Sequence, residues 1–305
     1  MDLKFLKANI TVLLLLTCTC IYSQDTINFR AFDSLKTSGE DRNRITKNNN
    51  ILLLNENCDP DPDNIDVKLF RKINNSQTPF KTKVLNVTDR SMLPVSLMVP
   101  TSMFAYGRLR RKTYEENTGY LMSVSAFTNI AVTFGIKTFV KRERPINSLK
   151  NVYMNGTPAL DVYSFPSGHT SSGFAMATMF ALRYPKYPLV YAPVFAWSLI
   201  VAYGRPYFGM HYPSDLLVGA LIGTGSSIAV YSLRKELFKF KNRVLSEDME
   251  DTGSINAGAA TFFVGSFIAS ALVDSFITGG RVKNRMFISP WMDSKRGGLN
   301  VKWKL

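Results

Sequence analysis

An all-α helical bundle of about five or six membrane-spanning helices is the fold predicted for this 305-residue chain, on three observations. From Ser91 onward, uncharged segments recur at Ser91–Gly107, Asn117–Ile136, Val162–Leu182, Tyr187–Gly204, Leu216–Leu233 and Thr252–Val273, most near the ~20 residues a helix needs to cross a bilayer. Ser, Thr and Gly are common within them, as suits helices that pack closely on one another. The formal net charge of +14 lies between these segments rather than in one block. That pattern speaks against a nucleic-acid face and for a membrane or an anionic substrate. A mean hydropathy of −0.02 keeps a soluble bundle with long buried helices as the alternative.

Residues 1–24 read as a signal peptide: Lys4 and Lys7 form its charged start and Ile10 to Leu16 its apolar core. Cleavage after Cys20 or Ser23, lipidation at Cys18 and an uncleaved anchor all remain open. Cys58 then stands alone, so a processed chain holds no internal disulfide. Residues 25–90 form a polar N-terminal, periplasmic region in which Ile51 to Leu54 is a short strand or a helix start. Asp59, Asp61 and Asp63 resemble part of a calcium loop, but no glycine follows at the turn and the twelfth position is Phe70, not Glu. Residues 91–250 form the helical core, and residues 251–305 an additional apolar helix with a polar tail.

Charge asymmetry sets a topology. With residues 25–90 outside, the inside turns carry Arg108, Arg110, Arg111 and Lys112, then Arg183 and Lys186, then Arg234, Lys235, Lys239, Lys241 and Arg243. The basic tail breaks this rule if the sixth segment spans.

Three polar stretches then fall on the outer side. In the first, Lys137 and Arg144 are seven residues apart, which places them on one helical face, with Pro145 ending the helix. The second, Ser164-Phe165-Pro166-Ser167-Gly168-His169-Thr170, forms a turn in which Ser167 caps the next helix and its free N–H groups face an anion. In the third, Arg205 precedes His211, and a helix starting at Pro213 puts Asp215 in its first turn, one turn from the histidine. A carboxylate there grips one ring nitrogen and leaves the other for attack. Both histidines of the chain, His169 and His211, lie in these stretches. Each stretch alone also fits an ordinary helix end. Together, cations, an amide nest and two imidazoles suit metal-free phosphoryl transfer.

Lys-x6-Arg-Pro, Pro-Ser-Gly-His and Arg-x5-His-x3-Asp, in this order, resemble the type 2 phosphatidic acid phosphatase superfamily over roughly residues 90–235. The resemblance implies a phosphatase acting on lipid phosphate or diphosphate esters through a phosphohistidine, with no metal or cofactor. It implies His211 as nucleophile, Asp215 orienting it and His169 protonating the leaving group. Lys137, Arg144, Ser167, Gly168 and Arg205 would hold the phosphoryl oxygens. The implied setting is a bacterial inner membrane with the site facing the periplasm. A soluble periplasmic acid phosphatase and a vanadate-dependent haloperoxidase are alternatives within the superfamily, and a membrane scaffold with a decayed site is the non-enzymatic one. Gly204 departs from the pattern, since the family usually has Ser before this Arg.

Overall fold

The computed structural model describes residues 44–47, 50–53, 63–154, 162–246, 250–251, 253, 259–260, 262–270, 285–293 and 296–304. The signal peptide, the three cysteines, Asp59 and Asp61 lie outside them; Asp63 is paired with Lys68. The described chain is mostly helical. Its helices are α1 (Ile65–Asn74), α2 (Pro79–Arg110), α3 (Thr113–Val140), α4 (Pro145–Ser148), α5 (Gly168–Arg183), α6 (Pro188–Tyr207), α7 (Pro213–Ser232) and α8 (Arg234–Leu245). Short strands depart from the all-α expectation: β1 (Arg44–Lys47), β2 (Asn50–Leu53) and β3 (Val152–Met154) form a sheet in that order. Of the Ile51 to Leu54 stretch, residues 51–53 are strand, with Ile51 opposite Met154 in an antiparallel pair.

Two compact units divide the chain. One comprises residues 1–44, 157–162 and 276–305, and contains the antiparallel hairpin of β4 (Arg285–Asp293) and β5 (Arg296–Lys304). The other, residues 45–156 and 163–275, contains α1 to α8. Of the sixth apolar segment, residues 259–260 and 262–270 are helical.

Within the helical unit the core lies between α2, α3, α5 and α6, where Val95, Met103, Leu121, Phe180 and Val194 are buried. Small residues set how closely α7 approaches α5. A Cβ on Gly223 would lie 2.0 Å from the Ser171 carbonyl oxygen, and one on Gly219 2.7 Å from that of Ser167. Larger residues there would separate the two helix starts that carry the histidine motifs. Hydroxyls tie the same helices together: Ser227 Oγ donates to the Ala175 carbonyl at 2.6 Å and lies 2.6 Å from Ser125 Oγ. This is the close, polar-bonded packing expected from segments rich in Ser and Gly.

Several boundaries differ from the sequence reading. α2 starts at Pro79, not Ser91, because Thr78 caps it and its polar first turns bury Thr82 and Leu85. α5 starts at Gly168, so the first part of the Val162–Leu182 segment is a turn. α3 ends at Val140, where Lys141 takes a left-handed conformation (φ 49°, ψ 34°), before Pro145 is reached. Pro145 instead opens α4 and, as proline does to its predecessor, holds Arg144 extended (φ −77°, ψ 150°). Lys137 and Arg144 therefore do not share a helical face.

Several basic residues that the charge pattern assigns to one side are ion-paired. Arg183 is buried and forks onto Asp251 at 2.7 and 2.9 Å, and Lys241 donates to Glu116 at 2.9 Å and Asn117 at 2.7 Å. Arg108 also faces Glu116, at 3.6 Å. Their charges are largely matched by carboxylates.

Candidate active site

The third motif is shaped by one glycine. Gly209 has φ +74°, and a Cβ on it would meet Val152 Cγ1 at 2.6 Å and the Tyr153 carbonyl oxygen at 2.8 Å. Only glycine meets both demands, and the turn it makes swings His211 inward. His211 is 2% exposed, just before α7 begins at Pro213 as its sequence suggests.

The His211 ring has an unambiguous tautomer. Nδ1 lies 2.7 Å from the Ser164 carbonyl oxygen, which can only accept, so the proton sits on Nδ1. Nε2 then carries the lone pair, 3.3 Å from Arg144 Nη1. Burial first, then the charges of Arg144, Arg205, Lys137 and His169, hold the ring's pKa well below its ordinary 6.5. His211 is thus a neutral imidazole with a basic nitrogen turned toward cations.

Asp215 is fully buried but is not the hydrogen-bond partner of that ring. Its Oδ2 lies 3.6 Å from His211 Nδ1 and accepts from the Tyr212 amide at 2.8 Å, while Oδ1 accepts from Arg142 at 2.7 Å. The carboxylate caps α7 and faces the ring edge electrostatically; the Ser164 carbonyl performs the alignment. Spacing alone suggests the carboxylate because Asp215 is one turn away, whereas Ser164 reaches the ring only through the fold.

The remaining site residues gather around His211. Arg144 is buried and donates to the Met210 carbonyl at 2.9 Å, and Lys137, also buried, donates to that of Tyr163 at 2.8 Å. Ser167 caps α5, accepting from the Thr170 hydroxyl at 3.0 Å, and its amide donates to the Asp215 carbonyl at 3.0 Å. That last bond joins the second motif to the third. His169 is half-buried in the first turn of α5, within electrostatic reach of His211. A Cβ on Gly168 would find only Thr133 Cγ2, at 3.9 Å, so packing does not demand glycine there.

Arg205 is 5% exposed and ion-paired with Asp89 of α2, while its Nε has no partner among the described residues. Asp89 lies in a polar stretch ahead of the apolar segments, and its only signal in the sequence is an acid within the charged start of a long helix. Asp66, in the first turn of α1, lies in the same polar stretch. Burial alone would raise its carboxyl, but hydrogen bonds from Ser214 and Arg142 hold it below the usual carboxylate range. At Gly204, an added Cβ would touch Leu85 and Phe208 at 3.8 Å, so a serine hydroxyl would start from an apolar contact.

With this geometry in hand, known proteins resemble the chain as follows. The PAP2 superfamily model matches residues 118–239, which contain every site residue read from the three motifs. The resemblance to that superfamily therefore holds. Among curated proteins, the undecaprenyl-diphosphatase of Sulfolobus acidocaldarius is 32% identical over 97 residues, 31% of this chain and 46% of that one. The lipid A 4'-phosphatase of Bacteroides thetaiotaomicron is 36% identical over 81 residues, 27% of this chain and 35% of that one. The chain thus spans less than half the length of either relative. Among solved structures, Aquifex aeolicus LpxE aligns with a TM-score of 0.45 at 26% identity, over 55% of this chain and 96% of that one.

Proposed function

We propose that the chain is a membrane-embedded phosphatase that hydrolyses lipid phosphate or diphosphate esters through a phosphohistidine at His211. The observation that carries this reading is the His211 tautomer, with Nδ1–H held by the Ser164 carbonyl and Nε2 turned toward Arg144. The Nε2 lone pair attacks phosphorus as the ester P–O bond breaks. His169, as imidazolium, gives its proton to the departing oxygen. Water then attacks the phosphohistidine, returning a proton to His169 as the P–N bond breaks and its electrons return to Nε2. Lys137, Arg144 and Arg205 offset charge on the phosphoryl oxygens, with Arg205 Nε still open to an acceptor. The Gly168 amide and Ser167, at the N-terminus of α5, complete the anion cradle.

Membrane embedding rests on length and surface. Thr113–Ser148 and Pro213–Ser232 are long and apolar enough to cross a membrane. Large apolar side chains face outward on α3 and α7, with Phe139 at 88%, Leu221 at 72% and Leu217 at 70% exposure. A soluble periplasmic enzyme would leave these in water. From Glu116 to Lys137, α3 rises about 30 Å at ~1.5 Å per residue, close to the thickness of the hydrocarbon layer. The site then opens at one face, which we assign to the periplasm, where a lipid phosphate lies and its tail stays in the bilayer. The names of the two curated relatives, a diphosphatase and a lipid A phosphatase, favour the same substrate class.

The test is to capture the intermediate from a long-chain lipid phosphate labelled at phosphorus. The expected result is an acid-labile, alkali-stable phosphoprotein that His211→Ala lacks, with no turnover in that variant. A His211→Ala protein that still turns over would overturn the mechanism. Equal or better kcat/KM on a short, water-soluble analogue would overturn the lipid assignment.

A further inference from the structure

The phosphoryl chemistry above makes no use of Asp66, yet that residue is wired into the site. Its Oδ2 accepts from Arg142 Nη2 at 2.7 Å and from the Ser214 hydroxyl at 2.6 Å, and its Oδ1 accepts from the Ser214 amide at 2.9 Å. Arg142 turns its other nitrogen, Nη1, to Asp215 Oδ1 and to Ser214 Oγ, both at 2.7 Å. Its guanidinium lies 3.9 Å over the Tyr212 ring. One guanidinium thus bridges two carboxylates, and all of these contacts close on Tyr212, Ser214 and Asp215, the turn that directly follows His211.

α1 itself is anchored without Asp66. Val67 and Phe70 are buried against Leu149, Val152 and Tyr212. Asn74 donates to the carbonyls of Tyr153, Pro206 and Tyr207 at 2.8, 3.2 and 3.0 Å, and accepts from the Tyr153 amide at 3.0 Å. The Asp66 contacts therefore add order to the catalytic turn rather than docking to the helix. A fully buried carboxylate such as Asp215 needs a fixed cation. Arg142 is 31% exposed at its side chain and can supply that charge only if something holds it in place.

We propose that Asp66 is a positioning residue for the phosphatase reaction, holding Arg142 against Asp215 and pinning the Ser214 turn so that His211 keeps its line of attack. The inference rests on the phosphohistidine reading. It makes α1, which lies outside the matched residues 118–239, a working part of the site.

The test uses the full-length chain purified in detergent, with a long-chain lipid phosphate as substrate. Asp66→Asn, nearly isosteric, should lower kcat about tenfold to a hundredfold and slow phosphohistidine formation equally, while KM changes by less than about threefold. Asp66→Glu should recover part of the loss. The double variant Asp66→Asn/Arg142→Gln should be no slower than Arg142→Gln alone, because the two act in series. An Asp66→Asn protein with normal kcat and phosphorylation rate would overturn the proposal, as would losses that multiply in the double variant. If the wild-type chain forms no phosphohistidine, both readings fall; if it does and Asp66→Asn matches it, this one falls alone.

Discussion

At the His211 end of the bundle, Lys137 and Arg144 donate to main-chain carbonyls, which carry no net charge. At the other end, Lys241 meets Glu116, and Arg183 forks onto Asp251. Both regions bury polar groups between the same long helices, and both draw cations from residues that sequence reading places at helix ends. They differ in what the cations surround. A network that joins helices supplies a carboxylate for each cation, because an unmatched buried charge costs several kcal/mol. At the His211 end the cations gather around a buried histidine instead, where an anionic substrate would add its own charge. There Arg205 is ion-paired with Asp89 and Arg142 is shared between Asp66 and Asp215, while main-chain carbonyls are among the acceptors of Lys137 and Arg144.

The comparison breaks most readily at Arg144. Arg144→Leu should lower kcat/KM about a hundredfold to a thousandfold, the range for losing one charge-stabilising donor, with a small effect on stability. Steady-state kinetics beside thermal denaturation in detergent measures both, and a mainly destabilised but kinetically normal protein would erase the contrast. Lys241→Met should do the reverse. It leaves Glu116 only the longer contact with Arg108, at 3.6 Å, a loss of up to about 3–5 kcal/mol, while the folded fraction keeps its kcat/KM.

A smaller effect concerns acidification. The folded-state pKa of His211 lies below 6.5, so as pH falls the unfolded chain takes up that proton first. This contribution to stability is full above about 6.5 and is lost on acidification. The wild-type midpoint should fall more steeply between pH 7 and pH 5 than that of His211→Gln; parallel curves would contradict a ring held neutral by burial. The smallest change is expected for Gly204→Ser. With Leu85 and Phe208 at ordinary contact distance, the substitution should alter stability by no more than about 0.5 kcal/mol, and kcat/KM should match wild type. A large gain in rate would show that the hydroxyl reaches the phosphate after all.

The helical character of the chain and the polar turns that gather around His211 were legible because they depend on local chemistry. Apolar runs mark helices, Pro213 marks the start of α7, Ser167 marks a cap, and two histidines within short polar turns mark the reacting end. Tertiary structure decided how those groups are wired. Whether His211 Nδ1 meets Asp215 or the Ser164 carbonyl depends on how α5 and α7 abut, which Gly219 and Gly223 permit. The partners of Arg205 and Arg142, Asp89 and Asp66, come from helices far upstream. A long charged side chain at a helix end can equally face water or a distant carboxylate, and its neighbours in sequence do not distinguish the two. That choice is made only when the helices pack and the surrounding water is excluded.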